Sequence, residues 1–197
     1  SKRQSRLLLG LPVEAPIVLV SGGGKGFGKL VEISREIMSS CTTAHILVLC
    51  GANNSALNSL SGSPEHGQRL HVYGPQSANR IAVLMSACDI HVGKPGGLTV
   101  AESLALGVPM IVSSALPGPE RQNAQFLIQS GAAISVPAGE IANACHRLLS
   151  DRRRLQAMSD SASVLGRAYA SAQIVQTIHH LLGGVDHAGK ERQLSSV

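Results

Sequence analysis

A glycine-rich segment with the sequence SGGGKGFG, residues 21–28, is the first feature of this sequence that could do chemistry. It follows a short apolar run, Ile17–Ser21, and precedes residues 29–40, where apolar side chains recur at helical spacing. Glycines let backbone N–H groups converge on an oxygen-rich anion, and the N-terminus of the next helix adds the positive end of its dipole. The segment predicts a phosphate-binding loop, with a plain flexible loop as the alternative.

Two familiar phosphate-binding signatures do not fit this segment. A P-loop needs Ser or Thr directly after its Lys to reach magnesium, but Leu30 follows Lys29 here. An NAD-binding loop needs an acidic residue about 20 positions further on to hold the ribose. The sequence has no acidic residue between Glu36 and Glu65. Phosphate binding therefore remains, while ATPase and dehydrogenase activities are disfavoured.

A second glycine-rich segment, GKPGGLTVAE at residues 93–102, has the same pattern of strand, turn and helix start. Two interpretations of Glu102 remain open. Thr99 could be the N-cap of the helix, with Glu102 as its capping-box partner. Alternatively, the two oxygens of the Glu102 carboxylate match the vicinal hydroxyls of a ribose.

A third segment, LPGPERQN at residues 116–123, predicts a rigid turn that ends at a helix start. Its polar side chains face the same predicted sheet edge, where they could bind sugar hydroxyls. A simple helix-opening turn is the alternative.

Strand and helix patterns alternate along the chain and predict an α/β fold. Strands are expected at 17–21, 45–50, 69–73, 89–92, 109–112 and 133–136. Helices are expected at 29–40, 78–87, 99–106, 122–130, 140–150, 152–163 and 172–182, with a polar loop from Asn53 to Pro64. This alternation predicts a Rossmann-like, doubly wound parallel sheet of about six strands. Such sheets bind ligands at the carboxyl ends of their strands, here after Ser21, Tyr73, Val92 and Val112.

Length and composition predict one folded domain and restrict its possible partners. The 197 residues are 44% hydrophobic and 15% charged, and we expect a domain at 1–183 and a loosely ordered tail at 184–197. With no Trp, two Tyr and two Phe, a base-stacking nucleic-acid surface is disfavoured. The net charge of +5 fits an anionic ligand or an acidic membrane surface. Basic residues cluster at 1–6 and 151–154, which favours solvated surface charge over a nucleic-acid patch.

The four cysteines (Cys41, Cys50, Cys88, Cys145) show no metal-ligand spacing and are expected to be buried free thiols in a reducing compartment. No apolar run approaches the roughly 20 residues of a membrane span. Gly10 and Pro12 interrupt the apolar run that a secretory signal would need. We expect a cytoplasmic protein, with peripheral contact at the inner face of the membrane as a further option.

Three segments together resemble the C-terminal domain of glycosyltransferase family 28. They are SGGGKGFGKLVE, KPGGLTVAESLALGVPMIV and LPGPERQNAQFLIQSGAA, and the resemblance covers residues 7–182. The family includes peptidoglycan GlcNAc transferases, monogalactosyldiacylglycerol synthases and processive diacylglycerol glucosyltransferases, and the glycolipid-forming branch is the most similar. The resemblance implies the C-terminal half of a GT-B fold, which binds the UDP-sugar donor of an inverting glycosyltransferase. The acceptor would be lipid-linked.

The resemblance also implies residue roles. Groups expected near the donor diphosphate are Gly22, Gly23, Gly24, Lys25, Gly26, Phe27, Gly96, Gly97, Leu98 and Thr99. Glu102 would bind the ribose, and backbone groups of Tyr73 and Gly74 would contact the uracil. Gly118, Pro119 and Glu120 would line the sugar pocket. Relatives usually carry Gln where this chain has Pro119, so the resemblance does not specify the sugar.

No cofactor or bound metal is implied, because glycines, helix dipoles and Lys25 could offset the charge on departing UDP. The catalytic base is expected in an N-terminal acceptor domain or partner subunit, which could also meet the membrane. The histidines His45, His71, His91 and His146 lie on or near predicted core elements and are not candidates for the base.

Three alternatives to this function stay open. The chain could be a one-domain catalytic subunit that needs a separate membrane partner. It could be a non-catalytic UDP-sugar-binding module. It could also be part of a sugar-nucleotide epimerase, since these enzymes share the fold.

Overall fold

Six parallel strands form one sheet in a computed structural model that describes residues 1–182. They are β1 (Ile17–Ser21), β2 (His45–Leu49), β3 (Leu70–Tyr73), β4 (Ile90–Gly93), β5 (Met110–Val112) and β6 (Ala133–Ser135). Their order across the sheet is β3-β2-β1-β4-β5-β6. The predicted Rossmann-like, doubly wound parallel sheet is therefore confirmed. Each predicted strand agrees with the observed strand to within one residue at either end.

The chain divides into two compact units, Ser1–Gly166 and a second unit that begins at Arg167. The first unit contains the sheet and the helices α1 (Lys2–Leu8), α2 (Leu30–Ser40), α3 (Asn54–Ser61), α4 (Ala78–Ser86), α5 (Gly97–Ala105), α6 (Pro119–Gln129), α7 (Ile141–Ser150) and α8 (Arg152–Leu165), with a 3₁₀ turn at Ala138–Glu140. The second unit contains α9 (Ala170–Leu181). The predicted tail at 184–197 lies outside the described residues, and the 1–183 domain limits stay a prediction. Among helices in residues 1–182, none is long and apolar enough to cross a membrane.

The core is aliphatic and lies on both faces of the sheet. Side chains alternate along each strand, so Val18 and Val20 face α2, α3 and α7, whereas Ile17 and Leu19 face α4. A further apolar cluster joins β5 to α5, α6 and α8. Because both faces are covered, the strands are mostly apolar, which is the pattern that predicted them. All four cysteines are buried free thiols, as predicted.

Helix α3 lies where the sequence analysis expected a polar loop, so that prediction is wrong. Asn53 caps the helix by accepting a hydrogen bond from the Ala56 N–H at 3.0 Å. Ala56 and Leu60 are buried against the core, with Leu57 beside them. These three apolar positions have helical spacing, and the surrounding Asn and Ser residues obscured it.

The basic N-terminal residues form helix α1, and one of them is not solvated as predicted. The Arg6 side chain is buried near the N-terminal ends of β1 and β4. Its guanidinium donates to the Ala87 carbonyl at 2.9 Å, to the Ala15 carbonyl at 3.1 Å and to Asp89 Oδ2 at 2.7 Å. It also donates to the Val13 carbonyl. Arg6 can be buried because four acceptors satisfy its donors, two from the segment after α1 and two from the segment before β4.

Asp89 links this arginine to the sheet. Its Oδ2 also accepts the Ile17 N–H at 2.8 Å, so one carboxylate joins α1 to the first residue of β1. The exposed Lys2 bonds to the other oxygen of Asp89 at 2.9 Å. The two cations therefore share one partner and differ in burial.

We expect Arg6→Ala to lower the free energy of unfolding by about 3 kcal/mol, because it removes the buried cation that pairs with Asp89 and the side-chain donor of three carbonyls. Lys2→Ala is the matched control. It should cost less than about 1 kcal/mol, since the Lys2 side chain is 47% exposed. Urea unfolding of both variants measures the difference. Equal losses would show that burial of Arg6 does not stabilise the fold.

Candidate functional site

The carboxyl ends of β1 and β4 lie side by side at the point where the strand order reverses. Ser21 pairs with Gly93 as the last residue pair of these two strands. The loop after β1 leads to α2 on one face, and the loop after β4 leads to α5 on the other. Diverging loops leave a crevice between them, which is where sheets of this kind bind ligands.

The loop after β1 folds tightly because several of its glycines have no room for a side chain. A Cβ on Gly26 would lie 1.9 Å from the Cys50 carbonyl oxygen, and its φ of +64° is left-handed. The Ala52 N–H donates to the Gly24 carbonyl at 2.9 Å, and the Asn53 side chain donates to the Gly26 carbonyl at 2.9 Å. The turn between β2 and α3 therefore supports the loop from beneath.

The upper part of this loop is open and rich in hydrogen-bond donors. Within residues 1–182, the backbone N–H groups of Gly23, Gly24 and Lys25 have no hydrogen-bond acceptor. A Cβ on Gly23 or Gly24 would meet no atom within 4 Å. Unpaired N–H groups around open space are the geometry that an anion requires.

Helix α5 brings a second set of free donors to the same place. It begins at Gly97, with Gly96 as an N-cap that has no side-chain hydrogen bond. In the described part of the chain, the N–H groups of Gly97, Leu98 and Thr99 have no acceptor. They lie at the positive end of the helix dipole and point toward the crevice.

The capping-box interpretation of Thr99 and Glu102 is wrong. The helix starts two residues earlier than expected, so Thr99 is its third residue and not its N-cap. Glu102 is exposed and has no hydrogen-bond or ion-pair partner among residues 1–182. Partial burial raises the pKa of Glu102 above its ordinary value. The carboxylate is therefore available to a ligand.

Two cavities adjoin at this edge of the sheet. The first, called here the apolar cavity, has a volume of about 330 Å³ and is lined by Leu19, Ser21, Gly23, Gly24, Leu49, Gly51, Gly74, Pro75, Gln76, Ile81, Met85, His91, Leu98, Thr99 and Glu102. The second, called the loop cavity, has a volume of about 340 Å³ and is lined by Gly22, Gly23, Gly24, Lys25, Phe27, Lys94, Gly96, Thr99, Leu116 and Glu120. They share Gly23, Gly24 and Thr99.

Most of the site residues expected from the sequence line one of these cavities. Those that line neither are Gly26, Tyr73, Gly97, Gly118 and Pro119. Gly26 is the part of the loop that packs against the backbone at Cys50. The Tyr73 carbonyl already accepts the Cys50 N–H at 2.8 Å. Gly118 is the N-cap of α6 and has a φ of +92°, with Pro119 as the first helical residue. Helix α6 thus begins three residues earlier than predicted, because Gly118 makes the turn and proline suits a first helical position.

Glu120 ties the turn before α6 to the loop after β4. It accepts the Leu116 N–H at 2.8 Å and forms an ion pair with Lys94 at 3.0 Å. Burial alone would raise the pKa of Glu120, but the Leu116 hydrogen bond and Lys94 together lower it below its ordinary value. The lowered pKa makes Glu120 a weaker base than an ordinary glutamate, and its two partners make it a positioning group and a hydrogen-bond acceptor.

Lys94 and Phe27 are two further features of the loop cavity. The Lys25 and Lys94 ammonium groups lie 5.9 and 5.8 Å from the centre of the Phe27 ring. The exposed Phe27 ring thus has two cations within 6 Å of its centre. Lys94 lies in the KPGG segment but received no role from the sequence; its position directly after a strand was the available signal.

A hydrogen-bonded pair at the base of the apolar cavity was also missed. Ser21 Oγ lies 2.7 Å from His91 Nε2, and both residues line the cavity. The sequence analysis placed His91 in the core, and it is indeed buried. A histidine inside an otherwise apolar strand was the signal that a polar partner should exist.

The other three histidines considered in the sequence analysis line neither cavity. His45 is the first residue of β2, and its ring stacks on that of His71 with centroids 5.4 Å apart. His146 lies on α7, which packs on the core as expected, but its side chain is exposed. Among residues 1–182, no three His, Cys, Asp or Glu side chains are grouped so that they could hold a metal ion.

Comparison with known proteins assigns the family. A family model described as "Glycosyl transferases group 1" matches residues 18–164. The chain belongs to this family. The match contains the loops after β1, β4 and β5, which form the two cavities.

The relatives confirm the resemblance to glycolipid-forming enzymes. Processive diacylglycerol β-glucosyltransferase from Bacillus subtilis (strain 168) is 34% identical over 164 residues, which are 82% of this chain and 42% of that protein. Monogalactosyldiacylglycerol synthase 3, chloroplastic, from Arabidopsis thaliana is 27% identical over 190 residues, 92% of this chain and 40% of that protein. The chain thus spans about two fifths of the length of these relatives.

One solved structure illustrates how widely the fold is shared. The crystal structure of UDP-GlcNAc 2-epimerase from Neisseria meningitidis, bound to UDP-GlcNAc, has a TM-score of 0.65 and 17% identity to this chain. The match covers 90% of this chain and 47% of that one. At this identity the likeness concerns the fold alone.

We expect Gly26→Ala to lower the free energy of unfolding by at least about 2 kcal/mol, because it combines a left-handed backbone with a clash against the Cys50 carbonyl. Gly24→Ala, two residues away, is the matched control. Open space surrounds Gly24, so stability should change by less than about 0.5 kcal/mol. Thermal and urea unfolding of both variants provide the measurement. A Gly26→Ala protein as stable as Gly24→Ala would show that the loop adapts freely.

Proposed function

We propose that this chain is the donor-binding domain of an inverting glycosyltransferase that transfers a hexose or N-acetylhexosamine from a UDP-sugar to a lipid-linked acceptor. The observation that carries the proposal is the pair of adjoining cavities at the reversal of strand order. One is apolar and contains a free carboxylate, and the other combines two lysines with unpaired backbone donors. A UDP-sugar has a similar division: a planar base and a ribose at one end, and a charged diphosphate with a sugar at the other.

The apolar cavity suits the uridine. Leu19, Leu49, Ile81 and Met85 provide an apolar surface for a planar base, and the chain at Gly74 lines the same space. In this proposal Gly74 presents backbone groups to the uracil edge. The Glu102 carboxylate accepts hydrogen bonds from the two ribose hydroxyls, for which its two oxygens are suited.

The loop cavity suits the diphosphate and the sugar. Four residues with a free backbone N–H line it, and two lysines supply positive charge. The four residues are Gly23, Gly24, Lys25 and Thr99, and the lysines are Lys25 and Lys94. These groups stabilise the charge that develops on UDP as the bond to the sugar breaks. We propose that they do so without a bound metal. Glu120 and the turn at 116–120 then contact the sugar.

The attack on the anomeric carbon requires groups outside these cavities. In an inverting reaction a base removes the proton of the acceptor hydroxyl as that oxygen displaces UDP from the sugar. Lys94 and the Leu116 N–H occupy Glu120 and lower its basicity. In this proposal the ribose occupies Glu102, and His91 uses both ring nitrogens in hydrogen bonds. The base therefore belongs to an acceptor-binding domain or partner subunit, which would also contact the lipid.

We expect calorimetric titration of this chain to detect UDP, UDP-glucose, UDP-galactose or UDP-GlcNAc, but not ATP or NAD. Glu102→Ala should weaken uridine nucleotide binding at least about tenfold, because it removes hydrogen bonds to a charged acceptor. The sugar nucleotide that binds most tightly relative to UDP identifies the donor.

The same titration tests the alternatives. Equal affinity for UDP and every UDP-sugar would favour a nucleotide-binding module without sugar recognition. Binding of ATP or NAD, or unchanged affinity in Glu102→Ala, would overturn the proposal. Glu140→Ala, which removes an exposed glutamate outside both cavities, is the matched control and should bind normally.

We also expect uridine nucleotide binding to weaken as the pH is lowered. The loss should begin at a higher pH than the ordinary pKa of a glutamate would give. Ribose binding requires ionised Glu102, and burial raises the pKa of Glu102 from its ordinary 4.5. The affinity for uridine nucleotides should therefore be highest at neutral pH, where Glu102 is ionised, and should fall as the pH decreases toward the raised pKa of Glu102. Protonation of the ligand diphosphate affects the wild type and Glu102→Gln equally. The ratio of their two nucleotide affinities at each pH therefore reports the protonation of Glu102 alone. A ratio independent of pH would contradict the ribose-binding role.

A further inference from the structure

Three polar side chains form a continuous hydrogen-bonded chain from the core to the apolar cavity. Ser103, on α5, lies 2.9 Å from His91 Nδ1, and His91 Nε2 lies 2.7 Å from the hydroxyl of Ser21. Ser103 and His91 are 0% and 1% exposed, whereas Ser21 is partly exposed. Only the Ser21 end of the chain is therefore open to a ligand.

The imidazole in the middle of this chain is neutral at physiological pH. Burial lowers the pKa of His91 to about 4. A neutral imidazole has one N–H donor and one acceptor nitrogen, so the two hydrogen bonds of His91 must have opposite roles. The hydrogen bonds along Ser103, His91 and Ser21 can therefore have only two arrangements. Either Ser103 donates to His91 and His91 donates to Ser21, or both bonds are reversed.

The surroundings of Ser103 select one direction. Within residues 1–182, the Ser103 hydroxyl has no hydrogen-bond partner other than His91. If Nδ1 carried the proton, the Ser103 oxygen would accept a hydrogen bond from Nδ1–H. The buried O–H of Ser103 would then have no acceptor, which costs free energy. Ser103 therefore donates to Nδ1, and Nε2–H donates to Ser21 Oγ.

The direction at His91 fixes the role of Ser21. Because the Ser21 oxygen already accepts the Nε2–H, its own proton turns away from the ring. Its side chain lines the apolar cavity together with Glu102. Ser21 thus offers a donor where Glu102 offers an acceptor.

Gly93 makes room for this arrangement. It pairs with Ser21 across the two strands, and a Cβ at this position would lie 3.0 Å from His91 Nε2 and 3.2 Å from Ser21 Oγ. Any side chain here would press against both partners of the bond. The absence of a side chain at position 93 thus accommodates the Ser21–His91 pair.

We propose that Ser21 is a ligand-binding residue whose hydroxyl donates a hydrogen bond to an oxygen in the ribose–phosphate portion of the nucleotide, with His91 and Ser103 as positioning residues. This inference rests on the proposed function, because it takes the occupant of the apolar cavity to be a uridine nucleotide. It adds a directional donor at the base of that cavity. Ser21 lies directly before the glycine-rich loop, so the acceptor is an oxygen near the junction of the two cavities.

The first test is calorimetric titration of Ser21→Ala with UDP and with uridine. We expect UDP affinity to fall about tenfold, as for the loss of one hydrogen bond in a buried site. A loss seen with both ligands assigns the bond to the ribose, and a loss seen only with UDP assigns it to a phosphate. Unchanged affinity for both ligands would overturn the proposal.

Ser34→Ala is the matched control for removing a hydroxyl. Ser34 is fully buried on α2, and its hydroxyl has no hydrogen-bond partner among the described residues. Its removal should leave UDP affinity unchanged. A loss of UDP affinity in Ser34→Ala equal to that in Ser21→Ala would show a general structural effect and would overturn the proposal.

A double-mutant cycle tests whether Ser103 acts through Ser21. Ser103→Ala alone should weaken UDP binding roughly twofold or more, because the proton is then free to occupy either ring nitrogen and the competent form is depopulated. In the Ser21→Ala background the same change should have no effect on affinity. Equal losses in both backgrounds would show that Ser103 acts independently of Ser21.

Nitrogen-15 NMR of the histidine ring separates failure of this inference from failure of the proposed function. We expect His91 to carry its proton on Nε2 and to remain neutral at pH 6, with or without nucleotide. A proton on Nδ1 would overturn the inference even if UDP binds. If wild-type protein binds no uridine nucleotide, the proposed function fails, and the assignment of a ligand to Ser21 fails with it.

Discussion

The parallel pairing of β1 with β4 is the constraint on which the remaining features of the site depend. It joins strands that are distant in sequence and ends them together at Ser21 and Gly93. Their continuations diverge toward α2 and α5, on opposite faces of the sheet, so backbone cannot fill the space between them. The two cavities occupy that space. The Arg6–Asp89 pair secures the opposite ends of the same strands, since Asp89 also holds the Ile17 N–H.

The electrostatics of the site follow from how its backbone is used. Free N–H groups at the loop after β1 and at the start of α5 supply fixed partial positive charge without a cost in side-chain entropy. Lys94 is partly neutralised by Glu120, which leaves Lys25 as the exposed cation of the loop. The two carboxylates at this edge differ accordingly. Glu120 is held ionised by its partners, whereas the pKa of Glu102 is raised by burial.

The sequence was sufficient for features that depend on local patterns. Uniform apolar runs located the strands, and their alternation with helices predicted the parallel sheet. It was insufficient where distant residues decide the outcome. Arg6 is buried because Ala87 and Asp89, more than 80 residues away, accept its hydrogen bonds. His91 is satisfied by serines on two other elements. The start of α5 was misplaced because Gly96 caps the helix without a side chain, which leaves no polar signal to recognise.

The narrow border between the cavities has an evolutionary consequence. Only Gly23, Gly24 and Thr99 line both, and two of these three residues have no side chain that could vary. Under the proposed function, substitutions around Lys94, Leu116 and Glu120 can therefore change the transferred sugar while nucleotide recognition persists.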